Sequence, residues 1–216
     1  MTRVLLGHER SSISTAASLI RANGTIIYPT DTVYGLGCNP FSETAVRRVF
    51  ELKRREAKPM PVLCADIDQV SAVAYLTEDA MKLAALFWPG PLSIVLRKRE
   101  GLPPLLTSHR DEVAVRIPAN VVALELMRTS GSPIVGTSAN ISGEEAATKI
   151  DELPNELLMN VDLVVDGGPT LYKKSSTVVR MVGGEIVVLR EGAVSVEQLI
   201  SRIEEARLDL SVRRYG

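Results

Sequence analysis

Thr25-Ile-Ile-Tyr28-Pro-Thr-Asp-Thr-Val-Tyr-Gly-Leu-Gly37 starts as an apolar run and gives way to hydroxyls and glycines. A second stretch, Pro133-Ile-Val-Gly136-Thr-Ser-Ala-Asn-Ile-Ser-Gly143, makes the same change. Each reads as a strand running into a loop, which leaves backbone N–H groups and short polar side chains aimed at one spot. Lys53-Arg-Arg55 lies between them and supplies fixed positive charge. The combination points to an enzyme for an anionic substrate, a nucleotide foremost.

Working outward, Ile13, Ala16, Ala17 and Ile20 repeat at helical spacing within Ser11–Asn23, and Asn23-Gly24 is a stop signal. Strand Thr25–Tyr28 follows. Ser42 is a natural N-cap for a helix whose apolar stripe is Val46, Val49 and Phe50. Lys53 continues that stripe, which predicts a lysine emerging at the inner edge of the helix, over the sheet. Arg47, Glu51 and Arg54 fall on other faces and read as solvated.

Pro59 and Pro61 end this helix before a short buried strand, Val62–Ala65. Thr77–Phe87 reads as a helix closed by Trp88-Pro-Gly-Pro91, with the indole in a core or cleft wall. Ser93–Leu96 and Val113–Ile117 read as strands, residues 120–128 as a helix, and Asp162–Val165 as a strand. Ser176–Met181 and Glu185–Leu189 flank Val182-Gly-Gly-Glu185, a hairpin signal because consecutive glycines accept positive φ. Ser195 to Arg207 is a closing helix. The prediction is an α/β fold: a single domain over residues 1–206 with a twisted mixed β-sheet flanked by helices, then a short, loose, charged tail over 207–216.

The bulk composition narrows the chemistry. The 216 residues are 45% hydrophobic and 24% charged, an ordinary globular balance. With a net charge of −1, any phosphate or nucleic-acid binding must come from local clusters. Two cysteines, Cys38 and Cys64, and two histidines, His8 and His109, argue against a disulfide framework or structural zinc. No apolar run reaches the roughly 20 residues a membrane helix needs. The N-terminal apolar run is too short for a secretory signal, so the cytoplasm is the expected compartment. An aromatic content of 4% argues against an RNA-binding sheet that stacks bases on rings.

At each candidate position the residues alone leave two readings open. Lys53, Arg54 and Arg55 are either a basic helix end facing water or a ligand-binding cluster. Ser138 and Asn140 either make local side-chain turns or meet a ligand beyond a strand end. Arg116 and Arg190 are by default ion-pair partners or edge charges.

Seven segments in order resemble one family: Tyr28–Gly37, Lys53-x-Arg55, Phe87–Leu92, Val113–Pro118, Thr137–Gly143, Ser176–Val179 and Leu189–Gly192. Together they look like the YrdC/Sua5 family of threonylcarbamoyl-AMP synthases, over roughly residues 12 to 200. The resemblance implies a twisted α/β fold with a deep concave ligand-binding face. Its implied activity condenses L-threonine, bicarbonate and ATP to L-threonylcarbamoyl-AMP and pyrophosphate. Mg²⁺ accompanies the ATP, and the protein metal ligands stay unknown. The product would feed the tRNA threonylcarbamoyl transfer machinery that modifies adenosine 37. Longer members carry an added C-terminal domain, so this chain resembles the short form.

Position by position, Lys53, Arg55, Ser138 and Asn140 match the catalytic K-x-R…S-x-N signature. Thr32, Arg116, Ser138 and Ser176 match positions that hold threonine. Lys53, Arg55, Lys58, Asn140, Thr148 and Arg190 match positions near ATP. The chain departs from some members by reading Pro61-Val-Leu-Cys64 where they place a threonine-touching histidine. The expected difficulty is electrostatic, an anionic nucleophile meeting a tetra-anionic nucleotide. The alternative expectation is a double-stranded RNA or tRNA-binding module on the same fold without turnover. A carbamoyl-phosphate-activating relative is a further rival, but such proteins carry additional zinc-finger and acylphosphatase-like regions.

Overall fold

The computed structural model describes residues 2–54 and 58–215. In chain order the elements are β1 (Arg3–Leu6), α1 (Arg10–Arg21), β2 (Ile26–Tyr28), β3 (Gly35–Gly37), α2 (Glu43–Leu52) and β4 (Val62–Leu63). Next come α3 (Ile67–Val73), α4 (Glu78–Phe87), β5 (Leu92–Arg97), β6 (Glu112–Arg116) and α5 (Val121–Ser130). They are followed by β7 (Ile134–Val135), β8 (Thr137–Ser138), a 3-10 turn (Ile150–Glu152) and α6 (Asn155–Asn160). The chain closes with β9 (Leu163–Asp166), β10 (Thr177–Val182), β11 (Glu185–Arg190), α7 (Val196–Glu205) and β12 (Ser211–Arg214).

The helices begin and end for local reasons. Ser42 accepts from Ala45 N at 3.3 Å, and Val46, Val49 and Phe50 are buried beneath α2. That helix stops at Leu52, with Lys53 as its cap and Arg54 at φ 47°. Thr77 caps α4, Asn120 caps α5, and Ser195 with Gln198 forms a capping box on α7. Ile13, Ala16, Ala17 and Ile20 are buried along α1, which packs on α5.

The mixed α/β class holds, but the strands form two sheets rather than one. A five-stranded sheet has the order β1-β9-β2-β3-β8, and a seven-stranded sheet the order β12-β11-β10-β5-β6-β4-β7. Both are mixed: β9 runs parallel to β1 and β2, whereas β3 is antiparallel to β2 and β8. In the larger sheet β10 is parallel to β5, and β5 antiparallel to β6. The β10–β11 hairpin turns on Gly183 and Gly184, with φ of 56° and 82°. Two successive positive φ values are what Gly-Gly supplies at least cost.

The expected loose tail is also corrected. Ser211–Arg214 pairs in parallel with β11, from Glu185↔Ser211 to Val188↔Arg214. Main-chain pairing holds this segment, and its side chains contribute little apolar burial. Strand β1 and helices α3 and α6 add elements that the apolar pattern did not single out. Cys38 and Cys64 are free and buried. Among the described residues, no helix is long and apolar enough to cross a membrane.

Candidate active site

Residues from both sheets and their loops line a cavity of about 240 Å³. From the five-stranded side come Thr30, Thr32, Tyr34 and Ser138, on the loops joining β2 to β3 and at β8. From the seven-stranded side come Ser93, Arg116, Ser176, Arg180 and Arg190. One wall is hydroxyl-rich; the other carries guanidinium groups.

Arg116, the last residue of β6, is 3% exposed. Its Nη1 donates to Asp31 Oδ1 at 3.0 Å, and its Nη2 donates to Thr32 Oγ1 at 3.1 Å. The Asp31 side chain is fully buried, and among the described residues its Oδ2 has no hydrogen-bond partner. A buried ion pair of this kind fixes the fork of the arginine while compensating its charge. Thr32 and Thr30 share a hydroxyl contact at 2.9 Å, and Thr30 donates to Val33 O. The loop is thereby tied to itself before it meets Arg116.

Ser176 sits just before β10. Its Oγ lies 3.0 Å from Ser93 Oγ, and Arg190 donates to Ser176 O and Oγ. A register shift in the β10–β11 pairing lies between Val178 and Val179. Such irregularities re-aim side chains; here the consecutive Leu189 and Arg190 both line the cavity. A Cβ on Gly192 would fall 2.2 Å from Ser175 O, so only glycine lets the end of the hairpin lie this close to Ser176. Burial, and after it the like charge of Arg116, holds the Arg190 guanidinium below its ordinary value.

Lys53 lies behind the hydroxyl-rich wall, 1% exposed, at the inner edge of α2 that its stripe predicts. Its Nζ donates to Ser138 O at 2.5 Å, Asn140 O at 2.7 Å and Asn140 Oδ1 at 3.1 Å. Ser138 Oγ donates to the same Asn140 Oδ1 at 2.6 Å, and Ser142 N donates to Lys53 O. Asn140 also makes a local turn, its N donating to Ser138 O and its Nδ2 to Glu144 O. The local-turn reading of this loop is therefore realised, with the Lys53 ammonium bound to it. Tyr34 donates to Gly168 O at 2.9 Å, and burial pushes its phenol up to about 12.

Thr32, Arg116, Ser138, Ser176 and Arg190 meet at the cavity, with Lys53 and Asn140 in the layer behind Ser138. Thr148 stands apart: its hydroxyl donates to Glu152 Oε2. Lys58 is exposed beside Pro59, which does line the cavity. Arg55 lies outside the described residues. Sequence reasoning passed over Asp31, Ser93 and the Arg180–Glu112 pair at 2.7 Å. Asp31 stands inside the first loop, but only the fold reveals that it meets Arg116. Among the described residues, no group of three or more His, Cys, Asp or Glu side chains could hold a metal ion.

Comparison with known proteins places this arrangement. The Sua5–YciO–YrdC family model, whose description reads "Telomere recombination", matches residues 18–192. The chain belongs to this family. A Pyrococcus abyssi protein named threonylcarbamoyl-AMP synthase is 39% identical over 210 residues, 96% of this chain and 61% of that protein. The crystal structure of P. abyssi Sua5 complexed with L-threonine superposes with a TM-score of 0.89 at 36% identity. That match covers 99% of this chain and 62% of the Sua5 chain. Escherichia coli YciO matches with a TM-score of 0.83 at 27% identity, covering 92% of this chain and 100% of YciO. The chain thus spans less than two thirds of the P. abyssi relatives and the full length of YciO.

Proposed function

We propose that this chain condenses L-threonine, bicarbonate and ATP into L-threonylcarbamoyl-AMP and pyrophosphate, as a nucleotidyltransferase serving tRNA threonylcarbamoylation. The observation that carries the reading is the buried Arg116 guanidinium, aimed by Asp31 and Thr32 into a small cavity that also presents the Ser176 and Ser138 hydroxyls. A fixed cation for a carboxylate, beside hydroxyls, suits a small hydroxy-amino acid. The L-threonine complex of a similar protein supports the same choice. The wider concave face implied by the family is part of this proposal.

In the proposed reaction the threonine amine and bicarbonate give an N-carboxylate with loss of water. One of its oxygens bonds to the α-phosphorus of ATP while the bond to the bridging oxygen breaks and pyrophosphate leaves. Arg116 would hold the threonine carboxylate, with Thr32 and Ser176 beside it. Lys53 would lend positive charge through the Ser138–Asn140 loop, and Arg55 would add a second cation. Arg190, Asn140, Lys58 and Thr148 would border the nucleotide. Preorganised donors of this kind offset the repulsion between two anions. Mg²⁺ would arrive as part of the MgATP substrate, held by phosphate oxygens and water.

Pyrophosphate release from MgATP, with L-threonine and bicarbonate omitted one at a time, tests the reading. Dependence on both is the expected result. Release indifferent to threonine would sink it, and salt-sensitive binding of double-stranded RNA without turnover would install the RNA-binding alternative.

A further inference from the structure

Ser93 opens the exposed question of how the cavity tells one amino acid from another. It lies on β5, paired in register with Val178 of β10, and is 1% exposed. Its neighbour Ile94 pairs with Val115 of β6, so Ser93 stands level with Arg116 on the same face. Among the described residues its hydroxyl pairs with Ser176 Oγ at 3.0 Å, and either hydroxyl can be the donor. Ser176 Oγ is also an acceptor for Arg190.

A hydroxyl offers one donor and two acceptor sites. When Arg190 donates to Ser176, Ser176 can donate on to Ser93, which leaves the Ser93 hydrogen and lone pair for a ligand. When Ser93 donates to Ser176 instead, the Ser176 hydrogen is the one left over. The pair can therefore present a donor or an acceptor to a substrate hydroxyl without moving an atom heavier than hydrogen. Val95 and Val178 also line the cavity and give a methyl group an apolar contact.

We propose that Ser93 is a specificity-determining residue, reading together with Ser176 the side-chain hydroxyl of a β-hydroxy amino acid. This rests on the synthase reading above and adds a residue to it. A site that pairs a substrate hydroxyl discriminates against the analogue lacking it, whereas an apolar pocket does so weakly.

The test is the ratio of kcat/KM for L-threonine to that for L-valine, read from pyrophosphate release, in the unsubstituted chain, Ser93→Ala and Ser93→Thr. Calorimetric binding of both amino acids provides a readout independent of turnover. Ser93→Ala is expected to lower the threonine value about tenfold, the scale of one neutral hydrogen bond, and to leave valine unchanged. Ser93→Thr, which keeps the hydroxyl, is expected to hold the preference. Should Ser93→Ala lose its thermal transition, Ser93→Cys gives the same ratio at nearly constant volume. Threonine-dependent release with an unaltered ratio in Ser93→Ala, or an equal loss for both amino acids, overturns the assignment of Ser93 alone. Release and binding indifferent to threonine in the unsubstituted chain overturn the synthase reading, and the role of Ser93 with it.

Discussion

The two walls of the cavity solve the same problem, presenting polarity inside a protein, by opposite means. The five-stranded side offers Thr30, Thr32, Ser138 and Tyr34, none of them charged, on loops knotted by their own hydrogen bonds. The seven-stranded side offers Arg116, Arg180 and Arg190 on strands, with Asp31 and Glu112 as counter-charges to the first two. The guanidinium groups of Arg116, Arg180 and Arg190 thus sit on paired strands, and the hydroxyls of Thr30 and Thr32 sit where the backbone turns. A guanidinium displaced by an ångström misplaces a whole ion pair, whereas a hydroxyl can rotate to suit. The difference suggests that removing one guanidinium from the seven-stranded wall costs more than removing one hydroxyl from the five-stranded wall.

Arg116→Met is expected to show the largest effect. It leaves the fully buried Asp31 carboxylate without its guanidinium, a loss of about 3–5 kcal/mol when one member of a buried pair is removed. Urea unfolding reads the loss, and the double variant Asp31→Asn/Arg116→Met is expected to recover most of it. A single variant within about 1 kcal/mol of the parent would mean that the carboxylate finds other compensation.

Lys53→Met comes next, because this side chain fastens the neutral wall from behind. The expected cost is about 2–4 kcal/mol of transition-state stabilisation, the range for loss of one preorganised donor group. Stability should fall as well, since Ser138 O, Asn140 O and Asn140 Oδ1 lose a shared donor. Near-normal pyrophosphate release in this variant would remove Lys53 from the mechanism and leave it a structural strut.

How much of this contrast could be read beforehand follows from the range of each interaction. Lys53 was legible because helical period alone carries a residue three places past Phe50 onto the buried face. The Gly183-Gly184 turn was legible for a similar reason, as both φ values are local demands of a tight hairpin. The division into two sheets was not. Strands β4, β7 and β8 are two residues long and β2 and β3 three, too short for alternation to mark a face or choose a partner. Asp31 and Arg116 are separated by 85 positions, and nothing local joins an aspartate in a hydroxyl-rich loop to an arginine ending a strand. The tail over 211–214 shows the same limit, because main-chain pairing with β11 holds a segment whose side chains carry no strand signal.

Ser138→Ala sharpens the comparison at smaller scale. It deletes the 2.6 Å hydrogen bond from Ser138 Oγ to Asn140 Oδ1, but Lys53 still donates to that oxygen. About 1 kcal/mol of stability is the expected loss. If the hydroxyl also positions a reactant, kcat/KM should fall by more than the stability change explains. Matching losses would confine Ser138 to holding the loop.

The smallest effect near neutrality, and the one whose sign separates charged from uncharged burial, is the response to alkali. Burial pushes the Tyr34 phenol from 10.0 up to about 12 and the Cys38 thiol from 9.0 up to about 12; it also raises Tyr28 and Cys64. In each case the folded chain keeps a proton that the unfolded chain releases at lower pH. The stabilisation is therefore complete from about one pH unit below 9.0 downward, where neither state has ionised appreciably. It is lost as pH rises toward about 12, because the unfolded state then binds fewer protons. Urea midpoints should be level from about pH 7 to about pH 8 and decline above that. Replacing both cysteines by alanine should move the onset up by about one pH unit, because unfolded tyrosines, with a pKa of about 10, titrate that much later. A decline that begins below pH 8 would mean that a charged group, rather than this buried neutral set, controls the alkaline limit.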